Sequence, residues 1–364
     1  MNYSSEWQDS LNPFNSMKVF YWREWLEGCA VENYLPPITI ALDPTTECNL
    51  NCIWCNSFDI RRERFTMSDT HGEKIVDFLK TWGVKSICIA GGGEPTLAPS
   101  FDAILKKAGE HKISCATVTN GVELSKERIE MIARTCDWIG VSIDAGSSDT
   151  YCMVKGIFGA SLFHQVITNI QSLKAKIIDI KSKCRIGFKF LIHPSNQHEI
   201  LKAGILAREI GADDVQFRPV GWDNLTITKG KEKLEYNLPR INAEIEEVLK
   251  LTTEDFKVYV VRHKFNPDFS LKRDFKHCLA SPMNGVFGAD GNFYICVDRR
   301  GDKSLLLCRH YPDPGIVKES WGSKKHIDMI REVNIYDCPR CTCGAYNEII
   351  EKCIIKNTMC KEYL

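Results

Sequence analysis

Residues 38–56 read ITIALDPTTECNLNCIWCN. The first five are apolar or β-branched, as suits a strand buried on both faces. Cys48, Cys52 and Cys55 then fall within eight residues, just past the strand. Three thiols are one short of the four protein ligands of a structural zinc or an ordinary iron–sulfur cluster. The loop therefore reads as a metal site that keeps one coordination position for another ligand. A zinc site completed by a distant residue is the alternative.

Outward from this stretch, short apolar runs recur up to residue 220: SICIAG, CATVTN, WIGVSID, RIGFKFLI and DVQFRPV. Helical patterns such as DTHGEKIVDFLKTWG and NQHEILKAGILAREIGA lie between them, several ending on Gly, a usual helix stop. Six βα units predict an α/β fold with a parallel sheet and right-handed crossovers. Periodicity leaves both a partial (β/α)6 TIM-like barrel and an open doubly wound sheet. Beyond residue 221 the alternation ends. LPRINAEIEEVLKLT reads as a helix, FKVYVVRH as a strand, and NGVFGADGNFYICVD as a hairpin turning on Asp290-Gly291. AYNEIIEKCIIKN reads as a last helix. The expected division is a helical cap over 1–37, formed by MKVFYWREWLEG, a barrel over 38–234, and a small α+β domain over 235–364.

The chain has 364 residues, with 47 Lys+Arg against 47 Asp+Glu, so its formal net charge is +0. That balance predicts no electrostatic capture of nucleic acid or of an anionic membrane. The basic run DIRRERF at 59–65 reads as a solvated loop. No signal-peptide pattern opens the sequence and no apolar run approaches a membrane span, so a cytoplasmic location is expected. Seventeen cysteines cannot all pair with one another. In a reducing compartment they are ligands, catalytic thiols or small buried hydrophobes. Cys88, Cys115, Cys136 and Cys184 stand singly among apolar residues and read as packing. Most of the others crowd into 48–55 and 278–360.

The spacing Cys48-x3-Cys52-x2-Cys55, with an aromatic Trp54 before the third cysteine, resembles the motif of the radical S-adenosylmethionine (SAM) superfamily. The second strand ends in IAGGGEPTL, and the resemblance implies that Gly92, Gly93 and Glu94 receive the SAM amino group. Glycines permit close backbone approach, and a carboxylate pairs with an ammonium. Trp54 would lie against the adenine. Thr119, Asn120, Ser142 and Asp144, at the ends of the third and fourth strands, fall where the family contacts SAM. Lys189 and Arg218, on the fifth and sixth, are further rim candidates; Arg218 could hold the SAM carboxylate or a substrate anion. The resemblance spans residues 38–220. It implies a SAM-binding [4Fe–4S] cluster fed by an external one-electron donor such as flavodoxin or ferredoxin. It also implies cleavage of SAM to a 5′-deoxyadenosyl radical that removes a substrate hydrogen atom.

Downstream, Cys278-x12-Gly291-x4-Cys296 and Cys338-x2-Cys341 resemble the twitch and SPASM domains, which carry auxiliary iron–sulfur clusters. The simplest reading is one auxiliary [4Fe–4S] cluster on Cys278, Cys296, Cys338 and Cys341. Cys343, Cys353 and Cys360 depart from the longer SPASM spacing and leave a second cluster, with Cys308, open. The twitch resemblance implies a small-molecule substrate, a sugar or aminocyclitol that is dehydrogenated or epimerised. SPASM peptide maturation is the alternative, set second because the stretch before the first strand looks short for a peptide-recognition domain. Cys152, near the rim after the fourth strand, is the candidate hydrogen-atom donor for an epimerase, and Tyr151 and Lys155 flank it as substrate contacts. A zinc-containing, cysteine-rich binding protein is the reading from another class. No nucleic acid or membrane partner is expected.

Overall fold

The computed structural model describes residues 16–220, 234–261, 265, 274–338 and 341–355. The six anticipated strands are β1 (Thr39–Leu42), β2 (Ser86–Ile89), β3 (Ser114–Thr119), β4 (Cys136–Ser142), β5 (Arg185–Ile192) and β6 (Asp214–Pro219). They pair parallel in sequence order. Helices α2 (Asp69–Trp82), α3 (Ser100–His111), α4 (Lys126–Thr135), α5 (Ser148–Lys155), α6 (Ser161–Asp179) and α7 (Ile200–Glu209) fill the crossovers; α1 (Arg23–Ala30) precedes β1. Local chemistry sets several helix ends. The Ser68 hydroxyl accepts from the His71 N–H to start α2, and Gly83 closes it at φ 98°. Ser125 starts α4 the same way. Ile40, Leu42, Ile89, Ile139, Val141, Phe188 and Phe217 are fully buried in one continuous core shared by strands and helices. This is the TIM-like partial barrel, not the doubly wound sheet.

The sheet is larger than six strands. After helix α8 (Leu238–Leu249), β7 (Lys257–Val260) pairs parallel with β6. At the other edge β8 (Asn284–Phe287) lies parallel to β1, Thr39 opposite Asn284. The predicted hairpin continues through β9 (Asn292–Tyr294) to β10 (Leu306–Arg309). The order is β10-β9-β8-β1-β2-β3-β4-β5-β6-β7, so the barrel sheet runs without a break into the C-terminal cysteine region. Short helices α9 (Ile316–Ser320), α10 (Lys324–Arg331) and α11 (Gly344–Ile349) follow. The N-terminal helix, expected as a cap on the barrel, packs against Ile38, just before β1, and against the C-terminal region. Val19, Leu26 and Cys29 pack on Ala280, Met283, Ile349 and Ile350, because the apolar face of α1 finds its apolar partner in the C-terminal region. Among the described residues no helix is long and apolar enough to cross a membrane.

Candidate functional site

The cysteine loop leaves the C-terminal end of β1, where a barrel of this kind places its chemistry. Its backbone is held on several sides. The Glu94 N–H donates to the Glu47 carbonyl at 2.7 Å and the Gly93 N–H to the Thr45 carbonyl at 3.0 Å. A Cβ on Gly93 would stand 1.9 Å from the Glu47 oxygen, so only glycine fits there. On the opposite side the carbonyls of Lys155 and Val154, at the end of α5, accept from the N–H groups of Asn51 (2.9 Å) and Ile53 (3.1 Å). Asn120 Nδ2 donates to Asn49 Oδ1 at 2.7 Å. Arg61 reaches the Leu50 carbonyl at 2.9 Å and lies 3.7 Å from the Cys55 sulfur.

Glu94 is 3% exposed. Its Oε1 accepts from Thr96 N (3.2 Å), Thr96 Oγ1 (2.7 Å) and Thr119 Oγ1 (2.5 Å), and its Oε2 accepts from Asn120 N (2.7 Å). Burial raises its pKa and these bonds oppose the rise. Asp144, at φ 61° and 2% exposed, meets the ammonium of fully buried Lys155 at 2.6 Å and accepts from Leu191 N at 2.7 Å. Burial works against the Lys155 charge, but Asp144 and the nearby Cys52 thiol outweigh it and hold its pKa high.

The structure thus brings Glu94, Thr119 and Asn120 into one network and Asp144 and Lys155 into another, both beneath the cysteine loop. Trp54 is buried against Val154 and Val220, its ring 5.1 Å from that of His193. Ser142 ends β4 opposite Lys189, whose ammonium lies 5.7 Å over the Trp138 ring in the barrel interior. Arg218 lies on β6 opposite Leu191. Cys152 stands on helix α5 rather than on a loop, and its thiol donates to the Gly159 carbonyl at 3.2 Å. Tyr151 and Lys155, expected at the substrate, are fully buried instead, because α5 packs them inward under the loop. The supporting roles of Asn49, Asn51 and Arg61 have no motif signal; the asparagines flanking Leu50 in CNLNC are the one hint.

A second thiol group lies on the C-terminal side. Cys278, Cys296, Cys338, Cys341 and Cys343 are electrostatic neighbours; burial is the first cause that pushes Cys296 to about 11, Cys341 to about 12, and Cys278 and Cys343 well above the ordinary thiol. Thiols this costly to ionise are neutral unless a metal binds them, since metal ligation takes the thiolate. Asn284 Nδ2 donates to Cys343 Sγ at 3.0 Å and Asn347 Nδ2 to Cys341 Sγ at 3.6 Å. Cys308, on β10, lies instead near Ser320 and Lys325, and Cys353 is exposed. Cys360 lies outside the described residues.

The loop of residues 297–302 joins the two groups. Arg300 Nη1 meets both oxygens of Asp43, at the end of β1, at 2.8 Å. Arg299 Nη1 lies 4.0 Å from Cys338 Sγ, and Gly301 sits against Ile60 beside the first cysteine loop. Burial raises the Asp43 pKa and Arg300 counters it. Among the described residues no three Cys, His, Asp or Glu side chains converge where a single metal ion could sit. A four-iron cluster spreads its thiolates over separate corners, so the donor set of soft thiols, held on a backbone-locked loop with a cradle only glycine can line, fits that group.

Residues 42–203 match the Radical SAM superfamily, and this part of the chain is a radical SAM domain. Its cofactors are accordingly a [4Fe–4S] cluster and SAM, and the cysteine-rich C-terminus is consistent with a SPASM or twitch domain. Mycofactocin maturase MftC of Mycobacterium ulcerans is 29% identical over 155 residues, 42% of each chain. The AdoMet-dependent heme synthase of Methanosarcina barkeri is 28% identical over 178 residues, 48% of each. The matches span less than half the length of these curated relatives. Streptococcus suis SuiB bound to S-adenosylmethionine shares the fold with a TM-score of 0.63 at 18% identity, covering 92% of this chain and 79% of that one. AnSMEcpe with bound AdoMet and Cp18Cys peptide gives 0.58 at 18% identity, covering 86% and 88%.

Proposed function

We propose that this radical SAM enzyme modifies a peptide and does so with two iron–sulfur centres. The observation that supports the reading best is the extent of a fold likeness. The likeness to SuiB bound to its precursor peptide runs over 94% of this chain, well past the radical SAM domain. The maturase MftC among the sequence relatives points the same way. Dehydrogenation or epimerisation of a sugar or aminocyclitol remains as the second reading, favoured by the four-cysteine spacing of 278, 296, 338 and 341.

In this reading Cys48, Cys52 and Cys55 hold the SAM-binding cluster. Gly92, Gly93 and the Glu94–Thr119–Asn120 network frame the SAM amino end, with Trp54, Ser142 and Asp144 at the rim. The chemistry supplied there is hydrogen-atom abstraction started by reductive cleavage of SAM, with the electron from an external one-electron donor. The chain's own residues aim and enclose. The Asp144–Lys155 pair fixes α5 under the loop, and Arg300 draws residues 297–302 over it, which keeps water out. Arg218, near the C-terminal end of β6, sets a cationic group for a substrate carboxylate or carbonyl oxygen, while the Lys189 ammonium turns back over Trp138. Cys278, Cys296, Cys338 and Cys341 hold the auxiliary cluster.

The test is anaerobic reconstitution, an iron count and product analysis. Two four-iron sites predict about eight irons per chain. Replacing Cys48, Cys52 and Cys55 together by Ala should abolish 5′-deoxyadenosine formation and leave about four. A peptide panel and a panel of sugars and aminocyclitols are then compared by mass spectrometry. Modification confined to the second panel would reverse the choice of substrate class.

A further inference from the structure

Asn347 is fully buried on α11. Its Oδ1 accepts from the backbone N–H groups of Leu279 and Ala280, both at 2.7 Å, the two residues that follow Cys278. Two donors fix the amide's orientation, because only its oxygen can accept them. Its Nδ2 must therefore face the other way, and there it lies 3.6 Å from the Cys341 sulfur. Its backbone N–H is bound as well, to the Cys343 carbonyl at 2.9 Å. One side chain thus joins the segment that follows Cys278 to the one that carries Cys341 and Cys343, with Leu279 and Asn347 68 positions apart in sequence. Glu351, a helical turn further on, reinforces the same seam by accepting from Lys276 N at 2.7 Å.

We propose that Asn347 is the positioning residue of the auxiliary centre. It clamps the Cys278 segment to the Cys341 segment and donates a hydrogen bond to the Cys341 thiolate, which raises the centre's reduction potential. The inference rests on the auxiliary cluster of the proposed function. An N–H donor stabilises charge on a coordinated sulfur more as electrons are added, so it favours the reduced form. Removing the donor while keeping the clamping oxygen separates the two roles. Asn347→Asp keeps an acceptor for Leu279 and Ala280 but presents oxygen to sulfur.

Reconstituted wild type, Asn347→Asp and Asn347→Ala are compared by iron content and by a redox titration followed by electron paramagnetic resonance. Asn347→Asp should retain auxiliary iron and titrate at lower potential; Asn347→Ala should lose auxiliary iron as well. An unchanged potential in an iron-replete Asn347→Asp overturns the proposal. Should that variant fail to fold, protein that keeps Asn347, carries Asn284→Ala to remove the other amide near a cysteine and is labelled with amide-15N asparagine gives a second reading. A 15N coupling in the pulsed spectrum of the reduced auxiliary centre supports the hydrogen bond, and its absence overturns it. A wild type holding only the irons of the first site would remove the auxiliary centre itself, and the proposal with it.

Discussion

Glu94 joins the ends of two strands to the cysteine loop through a single carboxylate and one backbone bond. All four of its donors need an acceptor, so Glu94→Gln turns an amide group toward at least one N–H or O–H. The expected loss is about 1–3 kcal/mol of stability, the cost of a buried unsatisfied group. It would show as a lower denaturant midpoint with an unchanged slope. The glycines and the glutamate of GGGEP were legible as a ligand-binding turn. That the glutamate serves its neighbours inside the protein was not, since two of its four donors, Thr119 Oγ1 and Asn120 N, come from the end of another strand. The buried pair His71 and His310, bonded at 2.9 Å, lies outside every motif. Burial lowers the His310 pKa to about 4 and lowers that of His71 too. An unfolded histidine titrates near about 6.5, so between there and about 4 the unfolded chain binds more protons. Stability should be level at neutral pH and fall as pH drops through that window. Denaturant midpoints measured across it should decline in wild type and decline less in His310→Leu. Equal slopes for the two proteins would rule the pair out as the cause.

Helix α5 is a clamp more than a barrel wall. Its cap Gly156 has φ 62°, and a Cβ there would stand 2.3 Å from the Asn51 carbonyl inside the cysteine loop. Gly156→Ala should cost about 1–3 kcal/mol through a strained left-handed residue. It should also lower iron bound at the first site while auxiliary iron stays constant. A full iron complement in Gly156→Ala would show that α5 and the loop move independently. The six strands of the barrel could be read from sequence because each is a short apolar run between helical repeats. The attachment of β7 and β8 to the same sheet could not. A hairpin or a lone strand announces itself locally, but its parallel neighbour is chosen by packing with residues far away. The same reason hid the placement of α1, whose apolar stripe says that it packs and not against what.

The two cysteine groups belong to one sheet and are tied by an ion pair, Asp43 at 7% and Arg300 at 22% side-chain exposure. Removing one partner strands a buried charge. Arg300→Ala should cost about 3 kcal/mol, the low end for a buried pair because Arg300 keeps some solvent. The double change Asp43→Asn with Arg300→Ala should cost less than the sum of the singles, as a double-mutant cycle read by denaturant unfolding would reveal. Additive losses would mean that the pair does not couple the regions. The position of β1 has a consequence for how the molecule comes into being. β1 sits between β2, which follows soon after it, and β8, which is made only after the six barrel strands and β7. Until then one side of β1 offers unpaired backbone groups, and Asp43 awaits a guanidinium 257 residues downstream. The nascent protein therefore carries an open strand edge directly beside its cysteine loop until β8 has been made, the stage at which a chaperone or an early cluster-loading factor would have the most to protect.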